Sequence, residues 1–388
     1  MLLYFDHAAS TPPDPDVVES VSKTMQTYFG NPSALHRMGV EAERLLQQAR
    51  HVVAQALQAE PQEIVFTSGG TESINLALKG AAMQYKSRGR HIVTTQIEHS
   101  AGLESCRQLE QLGFEVTYVS PDATGAVRAE DVIAAVRDDT ILVSVMHVNN
   151  ETGRIQPVEE IGRALRRRSG VLFHVDAVQS LGKIPVLPKS WGVDLMSVSA
   201  HKLNGPRGAG FLFCREGVQL FPLIAGGGQE RGLRSGTESL PLIAGMAKAV
   251  RLAVERQPDQ WKRWHEWREW IADTVASLPG LHLTGTRSAD EMAPHIVHFT
   301  FPGMKAEVVI HALEEAGILI STQSACSSRA GRPSRVLKAM GMPDSFCRSG
   351  LRISLGREHT ADDIRTLCDR LRNVVHQLKP LAAKGDPS

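Results

Sequence analysis

The chain runs to 388 residues, too many for one small domain at about 150 residues per domain, so two or three domains are expected. Its 42% hydrophobic and 22% charged residues are ordinary for a soluble globular protein, and 43 Lys and Arg against 42 Asp and Glu leave a net charge of +1. That balance excludes a broad basic face for nucleic acid, and no apolar run approaches the roughly 20 residues of a membrane span. The start, Met1 to Asp6, has neither the basic region nor the cleavage site of a signal peptide, so the expected location is the cytoplasm. The five cysteines, Cys106, Cys214, Cys326, Cys347 and Cys368, are scattered and lack CxxC spacing. They read as reduced thiols, not as zinc ligands or disulfides, and no metal site is expected.

From about Glu63 to Cys214, short apolar runs alternate with stretches of helical period. Strands are predicted at Glu63–Thr67, His91–Thr95, Glu115–Val119, Thr140–His147, Val171–Asp176, Asp194–Ser199 and Gly210–Cys214. Helices are predicted between them at Thr71–Met83, Ala101–Leu112 and Val158–Arg168. Such alternation implies an α/β fold with a mostly parallel sheet covered on both faces, and ligands that bind beyond the carboxyl ends of its strands. A Gly-rich stretch, Ala225–Gly236, breaks the pattern. A helix from near Leu240 and a second through Trp261–Ser277 follow, then strands at Ile296–Phe301 and Gly317–Ser321 and a last helix at Ala361–Leu378. Residues 15–258 are read as a large domain, and 1–14 with 259–388 as a smaller α+β domain. Trp261, Trp264, Trp267 and Trp270 make no single stripe, because at about 100° per residue the first and last fall on opposite sides of a helix. They are expected to wedge between domains.

The residues just after the strands form a set. Ile64–Thr67 runs into Ser68-Gly-Gly-Thr-Glu72 and a helix, a turn whose backbone N–H groups suit a phosphate. It matches neither a P-loop nor a GxGxxG fingerprint, so ATP and NAD gain little support. His99 follows the next strand, and Asn149-Asn-Glu-Thr-Gly153 follows the one at 140–147. Asp176 ends a buried strand, where an unpaired carboxylate is costly. Lys202 comes straight after Asp194–Ser199, beside His201. Singly, each has a structural explanation: Asp176 as a helix cap, Lys202 as its ion-pair partner. Together they match what pyridoxal phosphate requires, an amine, a carboxylate for the ring nitrogen, a polarising histidine and a helix N-terminus for the phosphate.

These motifs carry a resemblance. Thr67-Ser-Gly-Gly-Thr-Glu-Ser73, His147-Val-Asn-Asn-Glu-Thr-Gly153, His174-Val-Asp-Ala-Val-Gln179, Ser199-Ala-His-Lys202 and Arg234-Ser-Gly-Thr-Glu238 are jointly specific. The chain resembles cysteine desulfurases of the NifS/IscS type, in the class V aminotransferase family of fold-type I pyridoxal-phosphate enzymes. The likeness runs from Tyr4-Phe-Asp-His-Ala-Ala9 to Leu351-Arg-Ile-Ser-Leu-Gly356. It implies a large domain with a seven-stranded sheet, a smaller α+β domain and bound pyridoxal 5′-phosphate. By the same resemblance, Lys202 is the Schiff-base lysine, Asp176 the partner of the ring nitrogen, and His99 the group stacked on the ring that moves protons. Gly70, Thr71, Ser199 and His201 hold the phosphate, joined by Thr237 from the second subunit of a homodimer. Gln179 and Asn150 contact the cofactor's 3′-oxygen or the substrate. Asn31, in Gly30-Asn-Pro-Ser33, and Arg352 clamp the substrate carboxylate, a task that suits a guanidinium.

Cys326 selects the reaction. It sits in the polar stretch Ser321-Thr-Gln-Ser-Ala-Cys-Ser-Ser-Arg-Ala-Gly-Arg-Pro333, where Arg329 and Arg332 favour a thiolate. The resemblance implies that this thiolate takes sulfur from L-cysteine as a persulfide, leaves L-alanine, and passes the sulfur to an acceptor protein for iron–sulfur cluster assembly or tRNA thiolation. The stretch is longer than in the SufS-like subgroup, and it departs from the family in having Gln323 where glycine is usual, which bears on hinge motion and sulfur hand-off. An aminotransferase would have no use for Cys326. A selenocysteine lyase or a docking platform for sulfur acceptors are the other readings weighed.

Overall fold

A computed structural model of the chain describes residues 2–168, 170–322 and 333–382. In chain order the strands are β1 (Leu3–Tyr4), β2 (Ile64–Thr67), β3 (His91–Thr95), β4 (Glu115–Val119), β5 (Thr140–Met146), β6 (Leu172–Asp176), β7 (Leu195–Ser199), β8 (Gly210–Cys214), β9 (His282–Leu283), β10 (Ile296–Thr300), β11 (Ile318–Leu319) and β12 (Gly350–Ser354). The first four helices are α1 (Pro15–Thr27), α2 (Arg37–Ala56), α3 (Gly70–Tyr85) and α4 (Ser100–Gln111).

Seven strands form one sheet in the order β2-β8-β7-β6-β5-β3-β4. All its pairs are parallel except those of β8, which runs antiparallel to both β2 and β7. β5, β6, β7 and β8 are buried at every residue, which is why they read as near-continuous apolar runs. Their interior polar groups are partnered: His174 lies between the hydroxyls of Ser144 (2.8 Å) and Ser197 (3.0 Å). α3 and α4 each start within a few residues of a strand's carboxyl end, so their N-termini and the strand ends share one rim of the sheet.

A second core surrounds the antiparallel sheet β12-β10-β9. Phe5, Phe299, Phe301, Leu351 and Ile353 fill it, together with Leu367 and Leu371 of the helix Ala361–Ala382. β1 pairs in parallel with β11, so the N-terminal residues belong to this side of the molecule. Here the structure corrects the sequence reading. The two helices expected around residue 258 are one, Leu240–Ser277, with Pro258 inside it. A proline removes one backbone donor and ordinarily breaks a helix. This one continues because Ile243, Met246 and Val250 pack into the large sheet's core, while Trp264, Trp267, Ile271 and Val275 pack into the second core. Trp261 lies against a small cluster with Ala8, Val148 and Ile296, and Trp270 against the second core. Among the described residues no helix is long and apolar enough to cross a membrane.

Candidate active site

The carboxyl ends of β5, β6 and β7 and the start of α3 face a cavity of about 250 Å³. Ala8 and Ala9 of the N-terminal segment and Arg352 of β12 close it from the other side. Of the residues singled out from sequence, ten line it: Gly70, Thr71, His99, Asn150, Asp176, Gln179, Ser199, His201, Lys202 and Arg352.

Lys202 closes a 3-10 turn, Ala200–Lys202, that directly follows β7. Its ammonium donates to the carbonyl oxygens of Ala8 and Ala9, each at 2.6 Å. The wall that supplies these carbonyls is pinned from several sides. Thr11 N and Oγ1 donate to His201 O at 2.9 and 2.8 Å, Gln179 Nε2 donates to Ala8 O at 2.9 Å, and Ala8 N donates to Ser354 Oγ at 2.8 Å. An amine held by neutral oxygens at the end of a buried strand is positioned for chemistry, not solvation.

Asp176 ends β6, in register with Met146 of β5 and Ser197 of β7. Burial pushes its carboxyl up to about 6, while the Val178 N–H at 2.9 Å and the charge of Lys202 act in the opposite direction. It remains the anion at neutral pH. His99 caps the N-terminus of α4: its Nδ1 accepts the Ala101 N–H at 3.1 Å, which leaves the proton on Nε2. Burial, then the charges of Lys202 and Arg335, lower it to about 4, so the ring is neutral.

The α3 end of the cavity is built for an anion. The first-turn N–H groups of Gly70 and Thr71 have no intrahelical acceptor by the geometry of a helix start. Gly69 adopts φ +151°, and a Cβ on Gly210 would stand 2.6 Å from Gly69 Cα, so the turn and β8 approach at backbone distance. Glu72, which would oppose an anion, is drawn aside by Arg234 Nε at 2.8 Å. Ser199 and His201 stand at the same rim, and burial with the charges of Lys202 and Arg207 holds His201 neutral, at about 4.

Arg352 is 1% exposed. Nη1 donates to Asn150 O at 2.5 Å and Nη2 to Asp6 Oδ1 at 2.9 Å, while Nε meets no acceptor among the described residues. Its backbone bridges to Ser321, which leads into the Cys326 stretch. Cys326 itself and Gln323 lie outside the described residues. Asn31 and Thr237 do not join the cavity in this chain. Both are exposed, and the Asn31 side chain accepts the Ser33 N–H at 2.9 Å. Cys106, Cys214, Cys347 and Cys368 are buried and form no disulfide among the described residues.

Sequence reasoning assigned no role to four participants. Glu98, next to His99, is buried, and its carboxyl accepts from Thr95 Oγ1 (2.7 Å) and Met146 N (2.9 Å). Asp6 is the counter-ion of Arg352. Ala8 and Ala9 act through carbonyls, which no side-chain pattern reveals. Glu98 left a trace as a charged residue between Ile97 and the cavity histidine, and Asp6, Ala8 and Ala9 lie in the Tyr4–Ala9 stretch where the resemblance begins.

Residues 3–367 match the aminotransferase class-V family. A cysteine desulfurase IscS of Klebsiella pneumoniae subsp. pneumoniae is 43% identical over 385 residues, covering 98% of this chain and 94% of its own. A solved NifS-like protein superposes with a TM-score of 0.90 at 39% identity, over 98% of this chain and 100% of its own. SspA, solved in complex with cysteine, superposes with a TM-score of 0.80 at 38% identity, over 91% of this chain and 98% of its own. The same strand-end lysine, aspartate and histidine that build the cavity thus sit in a chain that belongs, along nearly its whole length, to the class V aminotransferase family and, within it, to the NifS/IscS-type cysteine desulfurases.

Proposed function

We propose that this enzyme releases sulfur from L-cysteine with bound pyridoxal 5′-phosphate, leaving L-alanine and a persulfide on Cys326. The observation that carries the reading is the convergence of Lys202, Asp176, His99 and Arg352 on one cavity. The donor set fits the cofactor: an amine for its aldehyde, a buried anion for a protonated ring nitrogen, and helix N–H groups with Ser199 and His201 for the phosphate. When bound, the cofactor supplies an electron sink for the substrate's Cα carbanion.

The protein's own groups do the rest. Lys202, once its amine is free, removes the Cα proton, and Asp176 keeps the ring nitrogen protonated. Arg352 holds the substrate carboxylate, and Asn150 and Gln179 orient the substrate and the cofactor's 3′-oxygen. Neutral His99, with its proton on Nε2, exchanges a proton with the substrate thiol. The Cys326 thiolate attacks the substrate sulfur: an S–S bond forms as the Cβ–S bond breaks, the electron pair stays on the three-carbon product, Cβ takes up a proton, and Lys202 returns the Cα proton to give alanine. Residues 15–258 form the cofactor-binding domain, and 1–14 with 259–388 the domain that carries Cys326. The enzyme is a cytoplasmic homodimer in which Thr237 of each chain completes the other's phosphate site. It passes its sulfur to an acceptor protein of iron–sulfur cluster assembly or tRNA thiolation.

The test is alanine release from L-cysteine by the parent and by Cys326→Ala. Release by the parent and none by the variant, with cofactor retained in both, supports the persulfide step. Equal release by both sinks the role of Cys326, and no release by a cofactor-loaded parent sinks the desulfurase reading.

A further inference from the structure

The turn Gln96–His99 carries a working side chain and joins β3 to α4, where His99 O accepts the Gly102 N–H at 2.9 Å. It is anchored from outside. Gln96 N donates to Val119 O at 3.0 Å, Asn149 Nδ2 to Ile97 O at 3.0 Å, and Arg335 Nη2 to Glu98 O at 2.7 Å. A further anchor is the Glu98 side chain, whose Oε1 receives both the Thr95 hydroxyl and the Met146 N–H. Thr95 ends β3, and Met146 ends β5, lines the cavity and is in register with Asp176. One oxygen therefore ties the His99 turn to two strand ends and sets it relative to Asp176.

We infer that Glu98 is the positioning residue for His99, acting as a buried double acceptor that locks the histidine's turn to the ends of β3 and β5. The task needs an acceptor of the right reach and does not need charge. A carboxylate 3% exposed beside Asp176 would be costly. Burial first, and the charge of Asp176 with it, push Glu98 up to about 8, so it is neutral at pH 7 while still offering Oε1 to both donors. Glutamine would preserve that arrangement. Leucine of similar size would leave a hydroxyl and a backbone N–H buried without an acceptor, and the turn would be free to shift. The inference rests on the proposed role of His99 in proton exchange.

The test compares Glu98→Leu, Glu98→Gln and His99→Ala in the cofactor-loaded protein, reading kcat and KM for alanine release. It also follows the pH titration of isotope-labelled His99 by NMR, with and without cofactor. Expected for Glu98→Leu is a fall in kcat of about 10- to 100-fold with KM within about twofold, the cost of a misplaced proton-transfer group. The His99 midpoint should rise from about 4 toward the ordinary 6.5 as water reaches the ring. Glu98→Gln should restore both readouts. If Glu98→Leu disrupts folding, Thr95→Val, which removes one of the two donors, should still move the His99 signals. A parent-like kcat and His99 titration in Glu98→Leu would overturn the inference, as would a Glu98→Gln protein as impaired as Glu98→Leu. If His99→Ala keeps its kcat, the proton-exchange role fails on its own account, and the His99 signals of Glu98→Leu still decide the positioning.

Discussion

One wall of the cavity grows out of β5, β6 and β7, strands buried at every residue, and bears Asp176 and Lys202 at their ends. The facing wall is assembled from two separate pieces of chain. Arg352 comes from β12 of the small three-stranded sheet, and Asp6 to Ala9 form a hydrogen-bonded turn tied to both sides of the molecule. The first wall places its groups by strand geometry, where a packed core leaves each side chain little choice. The second places them by contacts between residues hundreds of positions apart, as in Arg352 with Asp6 and with Asn150. Cofactor chemistry thus sits on the rigid side and substrate holding on the assembled side, so the two should fail separately.

The strongest break in that comparison is Lys202→Ala, which removes both the anchoring amine and the base. Alanine release should fall by at least about 10³-fold, and the cofactor, if retained, should be removable by gel filtration. A variant that kept its rate would remove chemistry from the strand-end wall. Arg352→Ala should act on the other side only. Hydrogen bonds to a charged group are worth about 1.5–3 kcal/mol, so kcat/KM for L-cysteine should drop about 10- to 150-fold, mainly through KM. The visible absorption of bound cofactor should stay as in the parent; its loss would show that the walls are not separable.

Acid compares the two walls through buried groups outside the cavity. His174, beneath the first, and His298, paired across β10 and β12 with Arg352 behind the second, are both lowered by burial to about 3. Between there and the ordinary 6.5, the unfolded chain binds protons that the folded chain refuses. Stability is therefore fully present above 6.5 and is lost as pH falls, by up to about 1.4 kcal/mol per pH unit for each ring. Thermal melts from pH 8 down to 4 should show this slope, and His174→Asn and His298→Asn should each flatten part of it. An unchanged slope in both variants would assign acid sensitivity to other groups.

What the sequence by itself determined was the strand-end wall. A run such as Leu195–Ser199 is buried because nearly every residue in it is apolar or small, and a lysine three positions beyond its end has only the rim of the sheet to occupy. Asp176 and His99 were legible for the same local reason. The resemblance also drew attention to Arg352 and to the Tyr4–Ala9 stretch that holds Asp6, but their pairing carries no signal in the chain because the two meet only when both cores are formed. Tertiary structure alone carried the Leu240–Ser277 helix through Pro258, since two cores grip its halves on either side of the missing bond. It also left Asn31 and Thr237 at the surface of the single chain and turned Glu98 inward to receive two donors. Periodicity records which face of an element is apolar; which polar group ends up buried, and beside what, is settled by neighbours that arrive from elsewhere in the chain.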